Sequence, residues 1–115
     1  MTDYSITLPS YSIGEQVYQQ IPTVCAPFGA TAVVIGGHKA MAAVRERLLA
    51  AIQGSAVTIT DFVWYGGEAS RENIAALAEN PAVAAADMIF AVGGGKALDT
   101  GKAYGEESGK PVFTF

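Results

Sequence analysis

Residues 88–102, Met88-Ile89-Phe90-Ala91-Val92-Gly93-Gly94-Gly95-Lys96-Ala97-Leu98-Asp99-Thr100-Gly101-Lys102, constrain this chain more than any other stretch. Met88–Val92 is an apolar run short enough to be a buried parallel strand. A run of glycine follows, and then a helix-compatible segment opening on Lys96. A strand, a glycine turn and a helix start in that order make an anion site. The first N–H groups of a helix have no intrahelical acceptor, and the helix dipole puts partial positive charge there. Glycine, lacking Cβ, lets a phosphate approach the backbone. The functional reading is a pyrophosphate cradle; the structural alternative is a tight turn that needs positive φ.

Two generic glycine motifs do not decide between them. A Walker A loop would need Gly where Phe90 stands and Ser or Thr where Ala97 stands. A dinucleotide GxGxxG fits Gly93 and Gly95 but fails at Leu98, and this strand comes late in the chain rather than first.

The rest of the chain alternates strands with helices. Tyr4–Leu8 reads as a short strand stopped by Pro9, and Glu15–Phe28 as a helix divided by Pro22. Thr31–Ile35 is a nearly continuous apolar strand closed by Gly36-Gly37. His38–Gln53 is an amphipathic helix, with Met41, Val44, Leu48 and Ile52 on one face. Val57–Tyr65 is β-rich, and Ser70 is placed to cap a helix over Arg71–Glu79. After Pro81 comes a short helical piece, Ala82–Ala86; then follow strand Met88–Val92, helix Lys96–Glu107 and a strand from Pro111 to Phe115. The pattern predicts an α/β, Rossmann-like, mainly parallel sheet with helices on both faces. A core strand at Phe115 further predicts that residues 1–115 are the front part of a larger protein.

Composition narrows the function. Seven basic against eleven acidic residues give a net charge of −4. No basic patch offers itself to nucleic acid or to an anionic membrane. No apolar run approaches the ~18 residues of a membrane span, and residues 1–10 show no signal-peptide pattern. Cys25, the one cysteine, cannot form an internal disulfide, which fits the cytoplasm.

Gly93-Gly94-Gly95-Lys96-Ala97-Leu98-Asp99-Thr100-Gly101-Lys102 resembles the GGGKxxDTxK segment of the iron-containing alcohol dehydrogenases, in particular the glycerol dehydrogenase branch. Tyr65-Gly66-Gly67-Glu68-Ala69-Ser70 resembles that family's GGE turn, at the expected distance upstream. The resemblance implies an NAD(P)-binding N-terminal domain, followed in the family by a helical domain that carries zinc or iron on Asp and His side chains. There the metal lowers the pKa of a substrate alcohol, which gives its hydride to nicotinamide. It also implies a homo-oligomer acting on a small alcohol or polyol.

By the same resemblance Gly93, Gly94, Gly95, Lys96 and Asp99 are cofactor-binding, with Gly37 and His38 at the adenosine end. Catalytic residues and metal ligands are expected outside this chain. Local alternatives stand beside these roles. Lys96 could be solvated, and Asp99 could pair with Lys96 or Lys102 along the helix. Glu68 reads as a turn residue, Trp64 and Tyr65 as strand residues packing in or near the core, and Gly101 as a close helix–sheet contact. NAD-preferring relatives carry a carboxylate where this chain has Gly36-Gly37-His38-Lys39. No charge there repels a 2′-phosphate, so NAD and NADP both stand as cofactors. The alternatives are a dehydroquinate synthase-like lyase domain, against which the GGGKxxDTxK form speaks, and a non-catalytic nucleotide-binding or assembly module.

Overall fold

The computed structural model describes Cys25 and residues 28–115. The strand expected at Tyr4–Leu8 and nearly all of the helix expected at Glu15–Phe28 lie outside the described residues.

The elements run β1 (Thr31–Gly36), α1 (His38–Ile52), β2 (Thr58–Trp64), α2 (Arg71–Glu79), α3 (Pro81–Ala85), β3 (Met88–Val92), α4 (Gly95–Ser108) and β4 (Val112–Thr114). The strands form one sheet in the order β2-β1-β3-β4, and every pairing is parallel. β1 and β3 are the inner strands, which is why they are apolar without alternation: Val33, Val34, Ile35, Ile89, Phe90 and Ala91 are all fully buried. Among the described residues β2 is an edge strand, largely exposed or half-buried. Its register against β1 jumps after Ala32, which faces Ile59 while Val33 faces Asp61. Thr60, the skipped residue, donates through its hydroxyl to Ala32 O at 3.4 Å.

Both sheet faces are covered. On one, Val34, Phe90 and Phe113 pack with Met41, Val44, Leu48 and Ile52 of α1 and with Cys25. On the other, Val33, Ile35, Ile89 and Ala91 pack with Leu77 of α2, Val83 of α3 and Tyr104 of α4. The helix starts are set locally. Ser70 Oγ accepts from Asn73 N ahead of α2, and Asn80 Oδ1 accepts from Ala82 N and Val83 N ahead of α3, with Pro81 first in that helix. α1 and α4 differ: Gly37 and Gly94 stand at their N-caps, and neither has a side-chain cap.

The amino ends of β1 and β3 are tied together. Asp87 accepts from Ala30 N at 2.8 Å and Thr31 N at 3.1 Å, and its own N–H is 3.0 Å from Thr31 Oγ1. Those donors hold the Asp87 carboxyl below the usual carboxylate range.

Candidate functional site

β1 and β3 are neighbours, yet the helices that follow them leave on opposite faces of the sheet. The strand order reverses between them, and open α/β sheets form their ligand crevice outside the carboxyl ends of strands at such a point. A cavity of about 300 Å³ occupies this place, lined by Gly37, Ala40, Tyr65, Gly93, Gly94, Gly95, Lys96 and Ala97. Two uncapped helix N-termini therefore face one space. In α4 the first intrahelical donor is Leu98 N, bonded to Gly94 O, so the N–H groups of Gly95, Lys96 and Ala97 precede the ladder. In α1 it is Met41 N, bonded to Gly37 O.

The three glycines do different work. Gly93 has φ 127°, where a side chain is strained, and a Cβ there would stand 3.3 Å from Ala97 Cβ and 3.5 Å from Ala40 Cβ. Gly94 has an ordinary φ of −80°. A Cβ on Gly94 or Gly95 would meet nothing within 4 Å, because it would point into open space. Turn geometry thus accounts for Gly93, while Gly94 and Gly95 leave room beside the helix N–H groups.

Lys96 sits on the cavity wall and is bridged by Glu68, Nζ to Oε2 2.9 Å, with both side chains about two-thirds exposed at 62% and 67%. The hydrogen bond and charge of Glu68 raise the Lys96 pKa. Among the described residues this is the partner of Lys96, in place of the pairing with Asp99 considered from sequence.

Of the expected cofactor residues, Gly37, Gly93, Gly94, Gly95 and Lys96 line the cavity, and His38 and Asp99 do not. Asp99 is exposed further along α4. His38 stacks on Trp64 with ring centroids 5.0 Å apart. Trp64, expected in or near the core, is 48% exposed; it closes a strand that has no neighbour beyond it among the described residues. Three lining residues escaped sequence reasoning. Tyr65 could have been found as the residue after a strand's carboxyl end and before a double glycine. Ala40 and Ala97 carry only the signal that small side chains in a first helical turn leave space.

The described residues do not fit a metal. They contain no group of three His, Cys, Asp or Glu side chains able to hold an ion. Burial pushes the Cys25 thiol up to about 12, so it is no thiolate nucleophile at neutral pH. No helix among them is long and apolar enough to cross a membrane.

The fold and cavity define the class: a doubly wound α/β domain with an open crevice at its switch point. The sequence places it further. Residues 9–113 match the iron-containing alcohol dehydrogenase family, and the chain belongs to that family. It is 33% identical over 114 residues to a glycolaldehyde reductase of Halobacterium salinarum, covering 95% of this chain and 30% of that protein. The fold is shared with the crystal structure of glycerol dehydrogenase from Schizosaccharomyces pombe, with a TM-score of 0.71 and 21% identity, over 85% of this chain and 25% of that one. The chain thus spans about a third or less of the relatives it matches.

Proposed function

We propose that this chain is the nucleotide-binding part of an NAD(P)-dependent, metal-assisted alcohol or polyol dehydrogenase. The observation that carries the reading is the pair of uncapped helix N-termini opening on one cavity, with Gly94 and Gly95 leaving free space beside them. A pyrophosphate fits that space: the N–H groups of Gly95, Lys96 and Ala97 would donate to its oxygens, and Lys96 would offset its charge. The start of α1 at Gly37 would take the adenosine ribose, with His38 and Lys39 beside it. Asp99 belongs to the same proposal as a residue facing the cofactor.

When bound, the dinucleotide supplies the hydride acceptor. This chain's own residues bind and orient it, and none of the described ones is assigned proton transfer. A metal-donor set would belong to the length of the relatives beyond the matched stretch. Small hydroxylated substrates are the class favoured, since the named relatives act on glycolaldehyde and glycerol.

Trp64 makes the test direct, because it is the only tryptophan of the chain and neighbours Tyr65 on the cavity wall. NADH added to the protein is expected to quench Trp64 emission by energy transfer, and inorganic pyrophosphate to compete. No saturable NADH binding up to millimolar concentration would overturn the reading.

A further inference from the structure

Glu68 reaches Lys96 across 28 positions of sequence, and the way it is held is informative. Gly66 and Gly67, at φ 105° and 99°, fold the chain back just before it. The turn is then pinned: Tyr65 Oη donates to Gly67 O at 3.0 Å, and Asn73 Nδ2 donates to Glu68 O at 2.8 Å. The Glu68 backbone is thereby fixed beside the cavity, while its carboxylate extends through solvent to a lysine on the cavity wall. Lys96 also lies in the first turn of α4, where a cation opposes the helix dipole and an anion is favoured.

We propose that Glu68 is an internal stand-in for the anionic ligand: its carboxylate occupies Lys96 in the empty protein and is displaced when phosphate enters. This rests on the reading of the cavity as a phosphate site. Glu68 does not line the cavity, so it is not placed to bind ligand itself. An ion pair this exposed is screened and contributes little, so it can be exchanged. A pyrophosphate offers more: it brings higher charge and also accepts from the helix N–H groups, which the carboxylate does not reach. Glu68 therefore weakens anion binding modestly and keeps Lys96 oriented in the meantime.

The test is a calorimetric titration with NADH at low ionic strength, on the wild-type protein, Glu68→Gln, Lys96→Gln and the double variant. Glu68→Gln is expected to tighten binding about two- to five-fold, the range open to an exposed ion pair. That gain should vanish in the Lys96→Gln background and shrink with added salt. Unchanged or weaker binding by Glu68→Gln would overturn the proposal, as would an equal gain in both backgrounds, which would mark general repulsion. If the wild type binds no NADH, the dinucleotide reading falls, and the same four proteins titrated with inorganic pyrophosphate decide the role of Glu68 by the same order. Binding of neither probe overturns both.

Discussion

Gly101 of α4 faces Ala91 of β3 so closely that an added Cβ would stand 2.7 Å from the alanine's own Cβ. Two effects compete in Gly101→Ala. Alanine is the better helix former by about 1 kcal/mol. Overpacking a buried helix–sheet contact costs about 1–3 kcal/mol, and Ala91 Cβ, fixed to an inner strand, has no rotamer with which to yield. Overpacking should win, with a net loss of up to about 2 kcal/mol in urea unfolding. A stabilised variant would mean that α4 rides farther from the sheet.

Gly94→Val should leave the fold intact and weaken NADH binding at least about tenfold, or 1.4 kcal/mol. Its φ of −80° suits valine, and an added Cβ meets no protein atom within 4 Å, so the methyls would enter the open space of the cavity. Gly93→Ala should do the reverse, losing about 1–3 kcal/mol of stability through its positive φ. Circular dichroism melts run with calorimetry separate the two; normal NADH affinity in a folded Gly94→Val protein would make the loop only a turn.

That contrast shows where sequence reading stops. The glycine run was legible as a turn between a buried strand and a helix start, but which glycine carries positive φ was not, since that depends on how β3 enters α4. Elements set by local periodicity were legible: Met41, Val44, Leu48 and Ile52, spaced for one helix face, are the buried residues of α1. Strand order was not, because alternation of strands and helices fixes parallelism without saying that the connection leaving β2 passes β1 to place β3 on its far side. Two further misses follow from it. Trp64 reads as a core residue unless its strand is known to be an edge, and Glu68 meets Lys96 only because both follow carboxyl ends of strands.

Gly37→Asp should impose NAD preference. A Cβ at Gly37 would lie an ordinary 3.9 Å from Tyr65 Cε1, so the carboxylate has room and could cap α1 as well. The wild type, with no acid there, should favour NADH or NADPH by less than ~100-fold, about 2.7 kcal/mol. Dissociation constants for both cofactors, in both proteins, check this. Wild-type selectivity above a thousandfold would put the ribose contact elsewhere.

Acid should loosen the amino ends of β1 and β3. Asp87 has its pKa lowered from 3.8, first by the Ala30 N–H and then by the Thr31 N–H. Its contribution is therefore present above pH 3.8 and is lost as pH falls through the lower, folded value. Asp87→Asn should reduce stability at neutral pH and flatten the decline of urea midpoints below pH 3.8. Parallel acid curves for the two proteins would show that other carboxylates govern the transition.

Residues 1–115 purified alone should oxidise neither glycerol nor 1,2-propanediol, with or without added zinc. The described residues include no metal-holding group, and the Lewis-acid step of such a reaction needs one. Turnover by a rigorously purified sample would place a donor set within this chain.

The parallel sheet also has a kinetic consequence. Ala32 pairs with Met88, and Thr31 is bonded to Asp87 across 56 positions, so β1 must wait for β3 through a long closed loop. Pairing of β1 with β2 closes a shorter loop, Thr31 against Thr58, and should come first. Gly37 and Gly93 meet only in the second event. A chain emerging from the ribosome would thus hold half a crevice until β3 has docked, so the cavity wall is completed by the last long-range pairing rather than by the first.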